Sequence, residues 1–338
     1  MINRIYRLVE PRTIDIDFES LSVAPGQVLV APQYMAICHA DQRYFQGARP
    51  KEVLARKLPM ALIHECWGRV VNDPDGRFKS GDAVVLIPNI PGRQPDIYYE
   101  NYGPGSGFAS SGYDGFMREL VALDADRVVA ADGIAPKVAA ITEFVSVAEH
   151  ALARLKAAQV TPGRRFAILG DGAMGFTLSM VLRAAYPKAE ISVLGRHREK
   201  LALFTQASHA LLSDDLPNDF VCDQAFDCTG GNGSTAAIDT IIDHIMPEGC
   251  VMLMGVSEQP VAVNTRMVLE RGLTLVGCSR SGRADFEAAI KLLQEERFAR
   301  AFSRIIYEDS PVEHVADVKR VFTTDLGTPF KTVFRWGM

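Results

Sequence analysis

The chain has 338 residues, of which 48% are hydrophobic and 23% charged, a length that suits two separately cored domains and a composition that excludes disorder. Its 36 basic and 41 acidic residues leave a net charge of −5 with no long block of either sign, so the electrostatic footprint of a nucleic-acid binder is lacking and small-molecule chemistry is expected. The first twenty residues hold no continuous apolar core of the signal-peptide kind, and six scattered cysteines without a Cys-x-x-Cys pair suit a reduced, cytoplasmic protein.

Up to about residue 140 the chain alternates with the period of half-buried strands, as in Thr13-Ile14-Asp15-Ile16-Asp17-Phe18 and Gln27-Val28-Leu29-Val30. Pro25-Gly26, Asp73-Pro74-Asp75-Gly76 and Ser80-Gly81-Asp82 are turn signals, the last opening an apolar strand over 83–87. This half is expected to be mostly β, and residues 88–115, rich in Pro, Gly, Ser and Tyr, read as an irregular lobe. Near Ile141 the period changes. Phe144, Val147, Ala148, Ala151 and Leu155 fall at helical spacing until Thr161-Pro162-Gly163 interrupts, which predicts a helix bridging the two halves.

From Phe166 onward, short apolar runs at 166–169, 191–194, 225–227, 251–254 and 273–276 alternate with helical segments, which argues an α/β fold with a parallel, doubly wound sheet. A helix over 285–293 and a strand over 332–336 are expected to return to the first domain. The densest apolar stretch, 250–256, is far short of the roughly 20 residues of a membrane-spanning helix and reads as a buried strand.

Gly170-Asp171-Gly172-Ala173-Met174-Gly175 follows the first of these runs and opens a helix expected over 176–185. In that context Gly170, Gly172 and Gly175 supply a tight turn, a close approach to pyrophosphate and close helix packing, and the helix amino terminus faces the pyrophosphate. About 20 residues further on, an NAD enzyme carries an acid for the ribose hydroxyls. Gly195 stands there, followed by Arg196. The missing carboxylate removes repulsion against a 2′-phosphate and Arg196, with Arg198 or Lys200, can bind it, so NADPH is expected over NAD. The alternative is a solvated basic helix start.

Zinc takes sulfur, nitrogen and carboxylate ligands, and a catalytic site uses about three of them. Cys38, His64 and a glutamate meet that count ahead of the nucleotide half. Alone, a Cys or His in a strand-rich domain is more often packing; it is their order with the nucleotide fold that points to a site.

Cys38-His39-Ala40-Asp41, Ile63-His64-Glu65-Cys66-Trp67-Gly68, Gly81-Asp82-Ala83-Val84-Val85 and the glycine fingerprint resemble successive motifs of the zinc-dependent medium-chain dehydrogenase/reductases, over nearly the whole chain. Thr142-Glu143-Phe144-Val145-Ser146-Val147 resembles the glutamate-bearing segment of the polyol dehydrogenases. Leu58-Pro59-Met60-Ala61-Leu62-Ile63-His64-Glu65, Ser110-Ser111-Gly112-Tyr113-Asp114-Gly115-Phe116-Met117, Gly255-Val256-Ser257-Glu258 and the run from Val263 to Leu275 are similar to the ribulose-5-phosphate reductases of the ribitol-phosphate (teichoic acid and capsule) pathway.

The resemblance implies a GroES-like, mostly β catalytic domain over 1–145 and 281–338, with a Rossmann NADP(H)-binding domain over 146–280. It implies one catalytic zinc at Cys38, His64, Glu65 and Glu143, with either glutamate, or both in alternation, as direct ligand, and Asp41 orienting His64. Ala173 and Met174 complete the cofactor turn, and His39 is either a pyrophosphate contact or a surface histidine. Ala40 replaces the hydroxyl that alcohol dehydrogenases use as a proton relay, so protons pass through a substrate hydroxyl, a water at the metal or another side chain. The cysteine cluster of a structural zinc lobe is missing from 88–115, and no second zinc is expected. The implied reaction is reduction of D-ribulose 5-phosphate to D-ribitol 5-phosphate in a closing interdomain cleft, with Arg43 and Arg280 as candidates for the substrate phosphate. Alternatives are a polyol or secondary-alcohol dehydrogenase acting on an unphosphorylated sugar, or a nucleotide-binding protein without catalysis. A homodimer or homotetramer is expected, with a ribitol-5-phosphate cytidylyltransferase as a functional partner and no nucleic acid or membrane.

Overall fold

Alternation at the amino end builds antiparallel sheet in a computed structural model that describes residues 1–94 and 97–338. The chain divides into one unit of residues 1–146 with 280–338 and another of residues 147–279. In the first, strands Ile2–Glu10 and Thr13–Ser20 form a hairpin that also pairs with Met60–Ala61. A larger sheet runs in the order Val128–Ala130, Ala83–Leu86, Glu65–Asn72, Gln27–Ala36, Lys331–Trp336 and Ile306–Val312, with Val121–Asp124 also on Gln27–Ala36. Its central strand pairs antiparallel on both sides, setting Ala36 opposite Glu65 and Val333. One end of the sheet therefore carries the residue after the central strand and the first residues of both neighbours.

The core beneath includes Phe45 stacked on Phe322 with centroids 4.2 Å apart and Tyr6 edge-on to Trp336 at 5.2 Å. The short helices His39–Phe45 and Lys51–Lys57, the helices Glu296–Ser303 and Val315–Gly327, and strand Ile306–Val312 were not anticipated from periodicity. A seven-residue helix shows too few turns for an apolar stripe to stand out. In the lobe over 88–115, Asn89–Ile90 pairs with Gly107–Phe108, while Pro95 and Asp96 lie outside the described residues. The final strand starts at Lys331, one residue earlier than expected, and the helix over 285–293 extends to Arg283–Gln294.

The second unit holds a six-stranded, all-parallel sheet in the order His209–Leu212, Glu190–Gly195, Arg165–Leu169, Cys222–Asp227, Ile245–Leu253 and Thr274–Gly277. The chain begins in the middle, moves outward one way and then the other, so the order reverses beside Arg165–Leu169. Crevices at such reversals are where doubly wound sheets bind nucleotides. The run 209–212 was missed because four residues led by an exposed His and Ala carry no apolar alternation. Helix Ala173–Ala185 starts inside the glycine fingerprint, three residues before the expected 176, because Gly172 supplies the extended N-cap. Helix Thr142–Ala158 contains the chain's passage from one unit to the other. Among the described residues, no helix is long and apolar enough to cross a membrane.

Candidate active site

The sheet end at Ala36 gathers the reactive side chains of the first unit. Cys38 is the N-cap of helix His39–Phe45, and its N–H donates to Asp41 Oδ2 at 3.3 Å, the backward reach of a capping box. Asp41 is wholly buried and heavily bonded. Its Oδ1 accepts from the Ile63 N–H at 3.0 Å and from the Ser110 hydroxyl at 2.5 Å, while Oδ2 lies 3.3 Å from His64 Nδ1. Burial pushes this carboxyl up, but His64, Ser110 and the Ile63 amide outweigh it and hold it below its ordinary value.

Ile63 has φ +69°, a left-handed conformation costly for a β-branched residue. Two bonds hold it there, its N–H to Asp41 and its carbonyl accepting from Phe116 N–H at 2.7 Å. The kinked residue leads directly into His64 and Glu65. Burial opposes charge on His64, yet Asp41 and Cys38 together hold its pKa well above the ordinary imidazole value. With Nδ1 at Asp41, the other ring nitrogen is the one left for a metal.

Glu65 is also wholly buried, and its two oxygens differ. Oε1 accepts from Lys331 Nζ at 2.5 Å, whereas Oε2 has no hydrogen-bond partner among the described residues. Lys331, itself buried, also donates to Ile37 O at 2.9 Å and sits 4.6 Å over the Phe144 ring. Burial pulls its pKa down, but Glu65 and Cys38 leave it raised, so Lys331 is a buried ammonium. Burial likewise raises the Glu65 carboxyl. Glu143, in the first turn of helix Thr142–Ala158, is pushed up to about 7 by burial, with His64 pulling down and Glu65 pushing up.

Ligand atoms of Cys38, His64 and Glu65 all lie within 4.8 Å of one another, whereas Glu143 falls outside that group. Sulfur, imidazole nitrogen and carboxylate oxygen form a zinc-type donor set, and the orphaned Oε2 of Glu65 is a buried acceptor that a cation would satisfy. The residues present therefore fit one zinc ion.

Of the two phosphate candidates, Arg280 is tied to this group. Its guanidinium lies 5.1 Å over the Phe108 ring, and that ring meets the His64 ring edge-on at 5.2 Å. Burial lowers the Arg280 pKa while Tyr102 and Tyr44 act electrostatically to raise it. Among the described residues no carboxylate pairs with it. Arg43 is half-buried in the last turn of helix His39–Phe45, and the path through Phe108 does not include it. His39 is exposed at the start of the same helix, and Ala40 beside it carries no hydroxyl.

In the second unit the glycines fit a dinucleotide. Gly170 has φ +129°, Gly172 has open space where a Cβ would stand, and a Cβ on Gly175 would lie 2.0 Å from Gly170 O. Helix Ala173–Ala185, with Ala173, Met174 and Gly175 in its first turn, has no side-chain cap, leaving its N–H groups for phosphate oxygens. Gly195 ends the neighbouring parallel strand and Arg196 follows, exposed.

Lys331, Phe108 and Ser110 carry no role in the sequence reading. A lysine at the head of a strand reads as a solvated strand end, and only the register against Ala36 turns it inward. The one signal was its place before the apolar run Thr332-Val333-Phe334.

The alcohol dehydrogenase GroES-like domain family matches residues 24–133, and the zinc-binding dehydrogenase family matches residues 213–295. The chain is 48% identical over 338 residues to ribulose-5-phosphate reductase of Streptococcus pneumoniae, covering 99% of this chain and 98% of that protein. It is 41% identical to ribulose-5-phosphate reductase 1 of Staphylococcus aureus, with all of both chains covered. A crystal structure of S. aureus TarJ in complex with NADPH superposes with a TM-score of 0.88 at 38% identity, over the full length of both chains.

Proposed function

Since the chain belongs to the ribulose-5-phosphate reductase branch of the zinc-dependent medium-chain dehydrogenases, we propose that it reduces D-ribulose 5-phosphate to D-ribitol 5-phosphate with NADPH. The observation that carries the reading is the group formed by half-buried Cys38 with buried His64 and Glu65, linked through Phe108 to the Arg280 cation. When bound, zinc supplies Lewis acidity at the ketone oxygen and NADPH supplies the hydride. Cys38, His64 and Glu65 would hold the metal, with Glu143 as a reserve ligand. Asp41 fixes the His64 ring and Lys331 fixes one oxygen of Glu65, so both donors stay aimed without rearrangement.

Arg280 receives the phosphate. A half-buried guanidinium with no carboxylate partner among the described residues gains more from a dianionic ester than a solvated one paired to a carboxylate. Ala40 gives no hydroxyl, so the proton that completes the product alcohol would come from solvent through a substrate hydroxyl, a water at the metal or another side chain. The product, a polyol phosphate, is a substrate for cytidylyl transfer, and assembly as a homodimer or homotetramer fits the family; sedimentation tests the latter.

The decisive assay is NADPH oxidation with ribulose 5-phosphate and with ribulose, with and without a chelator. Turnover on the phosphorylated sugar alone, lost on chelation, is the expected result. Arg280→Gln then raises KM for ribulose 5-phosphate at least tenfold. Equal efficiency on both sugars in the unaltered protein refutes the phosphate role, and full activity in metal-free protein refutes the zinc role.

A further inference from the structure

Gly195 is a glycine for a steric reason. Its φ lies outside the left-handed region, so its backbone would admit any residue. A Cβ built there, however, would stand 2.4 Å from Asp171 Cβ, 2.6 Å from Asp171 Oδ2 and 2.8 Å from Asp171 Cγ. Asp171 is the residue between the first two fingerprint glycines, and its side chain fills the space beside the end of strand Glu190–Gly195.

The same side chain anchors the loop beyond. Asp171 Oδ2 accepts the Arg196 N–H at 2.6 Å and the His197 N–H at 2.8 Å, and lies 3.0 Å from His197 Nδ1. Burial pushes this carboxyl up, but the amides of His197 and Arg196 and the His197 ring outweigh that and hold it below its ordinary value. An ionised carboxylate with three donors on one oxygen is a stiff tie. It joins the turn expected at the pyrophosphate to the loop expected at the adenosine ribose, residues 25 and 26 positions apart in sequence.

We propose that Asp171 and Gly195 form a lock that determines dinucleotide choice. Asp171 excludes from position 195 the acidic side chain that an unphosphorylated dinucleotide calls for, and it pins the backbone from which Arg196 reaches the 2′-phosphate. Selectivity is then a property of the pair, and neither Gly195 nor Arg196 secures it alone. The proposal rests on NADPH as cofactor and not on the sugar.

The test uses the full-length, zinc-loaded protein without substrate, so its failure is separable from failure of the substrate reading. NADPH and NADH dissociation constants are measured by calorimetry, with melting temperatures alongside. Gly195→Ala lowers the melting temperature and weakens NADPH at least tenfold. Adding Asp171→Ala does not rescue it, because the atom at 2.4 Å is the Cβ that alanine keeps, whereas adding Asp171→Gly does. Should Gly195→Ala alone give no folded protein, recovery of folded protein with Asp171→Gly but not with Asp171→Ala is the same result. Gly195→Asp gains NADH affinity only alongside Asp171→Gly, and Asp171→Ala alone lowers the NADPH-to-NADH affinity ratio about tenfold. Rescue by Asp171→Ala as good as by Asp171→Gly, or a Gly195→Ala protein that melts and binds as the parent does, overturns the steric half. Equal loss of both cofactors in Asp171→Ala, or a gain of NADH affinity in Gly195→Asp alone, overturns the selectivity half.

Discussion

Replacing Lys331 with methionine keeps most of the length of the side chain and removes its charge. The wild-type ammonium is 3% exposed and 2.5 Å from a Glu65 oxygen that is wholly buried. Breaking a buried pair by removing one partner costs about 3–5 kcal/mol, since the other charge is left without compensation. A unit of about 200 residues melts roughly 2–4 °C lower per kcal/mol, so a fall of about 6–20 °C is expected in metal-free protein. Zinc at Cys38, His64 and Glu65 would supply the missing positive charge, so the loss shrinks when the metal is added. The penalty is also pH-dependent. Burial already raises the Glu65 carboxyl, and without Lys331 it rises further, so the folded state binds this proton more tightly than the unfolded chain. Stability of Lys331→Met therefore falls as pH climbs from the unfolded carboxyl pKa toward the folded one. Melting curves of chelated and zinc-loaded protein at pH 5 and 8, with Glu65→Gln added to Lys331→Met, provide the measurement. The double variant should recover much of the loss. A single variant within about 1 kcal/mol of the parent in chelated protein at pH 8, or a double variant no better than the single, refutes the reasoning that Lys331 exists to neutralise Glu65.

Asp41→Asn removes the charge that orients His64 and should weaken zinc about 10–100-fold, read by competition with a chromophoric chelator; unchanged affinity would show that the Ile63 kink alone aims the ring. Glu143, held at about 7 in the folded chain, costs stability as pH rises from its unfolded value through that range, so Glu143→Gln should flatten the decline of the chelated protein's melting temperature between pH 5 and 7. Asp114 behaves oppositely. Burial raises it, but Arg7 and the Ala61 N–H hold it below its ordinary value, so its contribution is complete above the unfolded pKa and lost as pH falls through the folded one. Asp114→Asn should remove part of the acid limb of unfolding and leave the metal affinity unchanged.

The parallel sheet was legible because each buried strand is a short apolar run between helical segments, and because three glycines at fixed spacing specify one turn. Cys38, His64 and Glu65 were legible as residue types and order, though their convergence depends on the register that sets Ala36 against both Glu65 and Val333. What the sequence hid depends on contacts distant along the chain. Lys331 meets Glu65 across 266 positions, and nothing local distinguishes it from a solvated lysine. Asp171 was hidden differently. It stands inside a motif whose glycines take all the attention, and its function appears only when Gly195 is brought beside it.

These buried groups also explain why the two glutamates behave as they do. In the metal-free chain, Asp41, Glu65 and Glu143 share a water-poor region with His64 and Lys331 as the neighbouring cations. Asp41 claims His64 across the 3.3 Å contact at Nδ1, and Lys331 commits to one oxygen of Glu65. The positive charge is then allotted, and the remaining carboxyl, Glu143, is pushed up to about 7, while Glu65 Oε2 has no donor. Both are costs that apolar residues of the same size would avoid. A divalent cation between Cys38, His64 and Glu65 would satisfy the second and, by its charge, draw the first back toward ionisation. On this argument the site is stabilised by the ion it holds, and removal of zinc should raise the proton affinity of Glu143 most of all. Carbon-13 titration of glutamate carboxyls, with Glu143→Gln to assign the signal, would show it; a Glu143 titration unmoved by zinc would mean the carboxyl's environment is set by burial alone.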